Sequence, residues 1–126
     1  MADLFERLSA ALAARYKLER ELGQGGMAKV FLAHDLKYQR LVAVKVLLSE
    51  LTEAVGAARF LHEIQVAARL HHPHILPLYD SDEVQGFLYY VMPYIEGETL
   101  RDRLDRERQL PVGDALQIAR EVADAL

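Results

Sequence analysis

The run Leu22-Gly23-Gln24-Gly25-Gly26-Met27-Ala28-Lys29-Val30 is followed, fifteen positions after Val30, by the lysine of Val42-Ala43-Val44-Lys45. A glycine turn alone fits any tight loop, so its neighbours must decide what it does. After it comes Val30-Phe31-Leu32-Ala33, a short β-rich run, and not the long amphipathic helix that a dinucleotide-binding glycine turn opens. A phosphate loop of the G-x-x-x-x-G-K-[ST] kind also fails, because no glycine precedes Lys29 and neither Ser nor Thr follows it. The segment therefore reads as strand, glycine loop, strand. Gly23, Gly25 and Gly26 are expected to take backbone angles closed to other residues, which would let main-chain N–H groups approach an anion.

Around this turn the chain divides into further elements. Leu4, Phe5, Leu8, Ala11 and Leu12 recur at helical spacing between Asp3 and Ala14. They form the stripe of a short amphipathic helix that either docks on the domain or meets a membrane or partner. Tyr16 to Leu22 alternates as a first strand, with Tyr16, Leu18 and Leu22 on one parity, and Val30 to Asp35 is the second. Leu41 to Leu48 is a third, apolar except for Lys45. A cation among such neighbours is costly unless an anion meets it. Glu50 to Leu70 is a helix weakened at Gly56, with Phe60, Ile64, Ala67 and Ala68 on its apolar face and Glu63 beside it as a candidate counter-ion for Lys45. Ile75 to Asp80 and Phe87 to Tyr94 read as two more strands joined across residues 81–86. Glu96-Gly97-Glu98 is a hinge, Thr99 caps a short helix over Leu100 to Arg106, and Pro111 suits the first turn of the next. That last helix carries Ala115, Ile118, Ala119, Val122 and Leu126 on a stripe still running at the final residue, which implies a truncated chain.

Composition narrows the function classes. The 126 residues suit one modest domain, and 52% hydrophobic with 27% charged residues describes a globular chain. A net charge of −4 with interspersed signs argues against a nucleic-acid surface. No stretch approaches the roughly 20 apolar residues of a membrane span. Asp3, Glu6 and Arg7 interrupt any secretory signal. The absence of cysteine fits a cytoplasmic setting and removes thiolate metal sites. His71-His72-Pro73-His74 is not expected to hold a metal, since Pro73 extends the backbone and no carboxylate or cysteine completes a pattern. His62-Glu63 does not begin H-E-x-x-H, because Val66 stands at the second histidine position.

Taken in order, these motifs resemble the bacterial eukaryotic-like serine/threonine protein kinases. In that arrangement a hairpin's glycine turn covers nucleotide phosphates and a third-strand lysine holds them from the side. Glu21 to Ala28 is similar to the family's glycine loop, Val42 to Lys45 to its lysine motif, and Arg59 to Glu63 to the segment carrying its helix glutamate. His72 to Ile75 is similar to the helix-to-strand connection, and Tyr90 to Gly97 to the hinge. The resemblance implies an α+β fold: a kinase-like small lobe of five antiparallel strands and one long helix, then the first helices of a truncated helical lobe. Its implied boundaries are a helix over 1–15, the small lobe over 16–95, and the hinge with the start of the second lobe over 96–126.

It also implies ATP as ligand, with Leu22, Val30 and Ala43 around adenine and Met92 as gatekeeper. The Pro93 carbonyl and Ile95 amide would read the base. Gly23, Gln24, Gly25, Gly26, Met27, Ala28 and Lys29 would form the loop, main-chain amides of Gly25 to Ala28 covering the phosphates. Lys45 would hold the α- and β-phosphates, steadied by Glu63. Protein hydroxyls would be the acceptors, and Mg2+ would be held by residues outside this chain. Ala28 stands where a third glycine is frequent in the family. Neither a His-Arg-Asp loop nor an Asp-Phe-Gly occurs in the sequence, so these residues alone are expected to be inactive. The rival expectations are a non-catalytic nucleotide-binding scaffold and an unrelated five-stranded interaction domain.

Overall fold

A computed structural model describes residues 3–24, 28–47 and 57–126, leaving the side chains of 57–61 and 63 outside the description. In chain order the elements are α1 (Leu4–Leu12), β1 (Tyr16–Gln24), β2 (Ala28–Asp35), β3 (Arg40–Leu47), α2 (Ala57–Ala68), β4 (Asp80–Val84), β5 (Phe87–Pro93), α3 (Leu100–Glu107) and α4 (Val112–Ala125). They fall into two units, one of Met1–Leu70 with Pro77–Tyr94 and one of His71–Leu76 with Ile95–Leu126.

The first unit is a five-stranded antiparallel sheet in the order β1-β2-β3-β5-β4. Period-two alternation gives β3 two different faces. Val42, Val44 and Val46, all at 0% exposure, join Phe31, Ala33, Tyr89 and Val91 in the larger core. Helix α1 closes this face with Leu8 and Leu12, and Phe5 meets Phe31 at 6.0 Å between ring centroids. The stripe foreseen on α1 thus packs on the domain. Its start is fixed by Asp3, whose side chain accepts from the Glu6 amide at 2.8 Å.

Several local features depart from the sequence reading. β1 extends through Gly23 and Gln24, and it carries register shifts between Leu18 and Arg20 and between Glu21 and Gly23. Each shift offsets the alternation, so Leu22 does not continue the parity of Tyr16 and Leu18. Gly23 is a strand residue without positive φ, unlike the expectation for it; Gly25, Gly26 and Met27 lie outside the described residues. The fourth strand is Asp80–Val84 and not Ile75–Asp80, and its turn is only Gln85-Gly86, with φ of 49° and 83°. Two consecutive positive values make the tight hairpin turn whose twist suits antiparallel strands. Pro77 has no N–H for a ladder, and from the apolar run before β4 only the Tyr79 amide bonds across, to Val91 at 2.8 Å.

On α2, Ile64 is buried at 7% exposure, whereas Ala67 and Ala68 are exposed, against the expected apolar face. Phe60's side chain and residues 48–56 lie outside the description. At the β2–β3 turn the buried Asp35 carboxylate accepts from the amides of Lys37 (3.0 Å) and Tyr38 (3.3 Å) and faces Arg15 (3.8 Å) and Arg40 (3.5 Å).

In the second unit Thr99 caps α3 reciprocally. Its Oγ1 accepts from the Asp102 amide at 3.0 Å, and its own amide donates to Asp102 Oδ2 at 3.4 Å. Arg103 ion-pairs with Glu107 and Asp114, linking α3 to the start of α4. Arg106 donates to Glu98 and holds that carboxyl below its ordinary pKa. Pro111 sits at the N-cap, one place before the first turn assigned to it from the sequence. No residue of α4 is buried; Val122 is 52% and Leu126 98% exposed.

Candidate functional site

The sheet face opposite α1 gathers four of the residues to which the sequence assigned chemistry, Val30, Ala43, Lys45 and Met92. Antiparallel pairing sets Lys45 between Val30 of β2 and Tyr90 of β5, and sets Ala43 between Leu32 and Met92. Directly opposed residues share a face, so Val30, Ala43, Lys45, Tyr90 and Met92 lie on one side of the sheet. Helix α2 packs on that same side: Ile64 and Leu88 form a small cluster with Leu47, Leu78 and Tyr90 against it. Lys45 and the helix that carries Glu63 therefore share a face. The Glu63 side chain, and with it any pairing to Lys45, lies outside the described residues.

Lys45 is half-buried, less enclosed than its run of aliphatic neighbours implied. The alternation of β3 explains this, since the valines on either side of it point to the other face. A partly covered stem with a more solvated charge is the usual compromise for a long cationic side chain. Nζ lies 5.6 Å from the centroid of Tyr90. Ala43 beside it is nearly closed, at 6% exposure, and Val30 and Met92 are half-buried, giving the lysine apolar flanks.

The β1–β2 hairpin includes the pairs Gly23 with Val30 and Gln24 with Lys29. A Cβ built on Gly23 would meet no atom within 4 Å among the described residues, so the protein's own packing does not require glycine there. Leu22 is half-buried at the second register shift, and Ala28 begins β2 at 4% exposure. Met92 and Pro93 end β5, while Ile95 belongs to the second unit and is 64% exposed. Sequence reading gave no role to Tyr90. Its position opposite Lys45 becomes legible only once the β3–β5 register is known.

Chemically, this face offers a cation with aliphatic and aromatic flanks, an arrangement suited to a ligand with an anionic part and a flat apolar part. Among the described residues no group of three or more His, Cys, Asp or Glu side chains is placed to hold a metal ion. His72 instead meets Asp124 at 3.2 Å, and its Nδ1 accepts from the His74 amide at 3.0 Å. No helix among the described residues is long and apolar enough to cross a membrane.

Residues 16–126 match the family model of the protein kinase domain. Serine/threonine-protein kinase PknB of Mycobacterium leprae is 42% identical over 120 residues, covering 91% of this chain and 19% of its own length. Serine/threonine-protein kinase PrkC of Bacillus subtilis is 36% identical over 116 residues, with 91% and 18% covered. The crystal structure of the PknI kinase domain of Mycobacterium tuberculosis superposes with a TM-score of 0.77 at 37% identity, covering 89% of this chain and 46% of that one. The chain thus spans about a fifth of the length of the curated relatives it matches.

Proposed function

The chain belongs to the protein kinase domain family, in its bacterial serine/threonine branch, and from that premise we propose that it is the ATP-binding part of an enzyme transferring the γ-phosphoryl group to protein serine and threonine hydroxyls. Within it, 1–15 is a helix docked on the sheet, 16–95 the small lobe, and 96–126 the hinge and the start of the large lobe. The observation that carries the reading is the gathering of Lys45, Val30, Ala43 and Met92 on the sheet face that also receives α2.

On this reading Lys45 holds the α- and β-phosphates and Glu63 steadies it, so movement of α2 makes or breaks the productive contact. Leu22, Val30 and Ala43 enclose the adenine, with Met92 at the back of the slot. The Pro93 carbonyl and the Ile95 amide read the base edge; proline lacks an N–H but keeps its acceptor. The amides of Gly25 to Ala28 cover the phosphates, with Gly23, Gln24 and Lys29 flanking them. Magnesium, held by residues outside this chain, neutralises charge on the transferring group. Because the sequence contains neither a His-Arg-Asp loop nor an Asp-Phe-Gly, residues 1–126 alone hold nucleotide weakly and transfer nothing.

The test is phosphotransfer from radiolabelled ATP to protein substrate by the full-length protein and its Lys45→Met variant. Loss of transfer in a folded variant is the expected result; retained transfer rejects the assignment.

A further inference from the structure

Tyr90 touches two things at once. Its ring faces the Lys45 ammonium at 5.6 Å, within the roughly 6 Å over which an aromatic face attracts a cation. It also packs on the cluster that Ile64 of α2 forms with Leu88. The strand register fixes this geometry, since Tyr90 is the residue directly across the β3–β5 ladder from Lys45. A lysine on a flexible four-carbon stem has many rotamers, and a ring packed on the Ile64–Leu88 cluster favours those that keep the ammonium by the ring.

We propose that Tyr90 is a positioning residue for Lys45, holding the ammonium by its ring face and relaying to it the position of α2. This rests on the reading of Lys45 as the phosphate-holding lysine. The relay works through packing from the Ile64–Leu88 cluster to the ring and from the ring to the ammonium. A shift of α2 takes the backing from the ring and loosens the lysine. The device uses the π-face of the ring.

Three variants of the full-length protein test it. Tyr90→Leu and Tyr90→Met fill space without a ring face, and Tyr90→Phe keeps the face without the hydroxyl. The expected result is a KM for ATP raised about two- to fivefold in the Leu and Met variants, the factor matching a partly exposed cation–π contact. Their kcat should change little, as befits an interaction made alike in ground and transition states, and the Phe variant should behave as wild type.

A second readout is independent of activity. The ring current of Tyr90 should shift the Lys45 Hε resonances upfield in wild type and Tyr90→Phe, and the shift should vanish in Tyr90→Leu and Tyr90→Met. Unchanged KM and unchanged Lys45 resonances in both ringless variants would overturn the proposal, and so would a Phe variant that behaves like the Leu variant. Lys45→Met run alongside separates the two ideas. If it abolishes transfer while the Tyr90 variants are silent, only the positioning role fails. If it transfers normally, the assignment of the lysine fails, while the resonance shift still reports whether ring and ammonium meet.

Discussion

The two faces of β3 are built from the same eight residues and treat water in opposite ways. Toward α1 the strand presents Val42, Val44 and Val46, none of them exposed, under a helix that adds Leu8 and Leu12. Toward α2 it presents Ala43, Lys45 and Leu47, and the last two are only half-buried. One face is closed by side chains of the protein itself. The other carries a half-buried cation beside small and medium apolar groups. On the proposed function, stability and nucleotide binding fall to alternate residues of one strand, and a substitution should disturb one without the other.

The largest effect should come from the open face. Lys45→Met in the full-length protein is expected to lower phosphotransfer by at least about a hundredfold, the scale of removing one preorganised charge-stabilising donor. Its unfolding midpoint should move by no more than about 0.5 kcal/mol; a variant that unfolds would show that the lysine serves the core and would erase the contrast. The closed face should answer in the opposite sense. Phe31→Ala removes a ring that is 2% exposed and faces Phe5, and denaturant unfolding should register a loss of about 3–5 kcal/mol. A loss below about 1 kcal/mol would mean that α1 does not seal this face.

A smaller, pH-dependent effect belongs to Tyr16, on the closed face. Burial pushes its hydroxyl up from 10 to about 12, with Asp80 and Asp35 adding to the rise and Arg15 opposing it. The fold therefore favours the protonated phenol. That stabilisation is fully present below pH 10 and is lost as pH climbs from about 10 through about 12. Unfolding followed over that range should show wild type weakening more steeply than Tyr16→Phe; equal slopes would place the alkaline loss elsewhere. The smallest effect lies at the sheet's edge and should leave both faces intact. Gly86→Ala, at φ 83° with open space around a new Cβ, should cost about 1–2 kcal/mol from backbone strain alone. Unchanged stability on thermal unfolding would show that the Gln85-Gly86 turn relaxes.

Much of this contrast could be read from residue order. Aliphatic residues alternating through Val42 to Val46 with one lysine among them already imply a closed side and an open one, and the spacing of Leu4, Leu8 and Leu12 implies a helix that covers something. The misreadings have a common cause, which is that strand pairing is made by backbone. Asp80 to Val84 pairs along the sheet edge with only β5 as neighbour, so it needs no apolar run. The apolar stretch before it contains Pro77 and, among the described residues, reaches the sheet through the Tyr79 amide alone. Local periodicity likewise cannot foresee an inserted residue, which is why Leu22 was placed on the parity of Tyr16. Tyr90 was passed over because a tyrosine in an aromatic-rich strand looks like core until the opposite strand is known.

The two register shifts in β1 have a mechanical consequence. Each interrupts the regular spacing of the β1–β2 ladder, and both fall on the stretch between Leu18 and Gly23. The rungs at Tyr16 to Leu18 lie over α1 and the buried core, whereas those at Gly23 and Gln24 are separated from them by both irregularities. The rungs at Gly23 and Gln24 are thus decoupled from the regular pairing that the core holds at Tyr16 to Leu18. Amide exchange should differ accordingly, faster at Gln24 than at Leu18, and equal protection at the two positions would show that the shifts carry no such consequence.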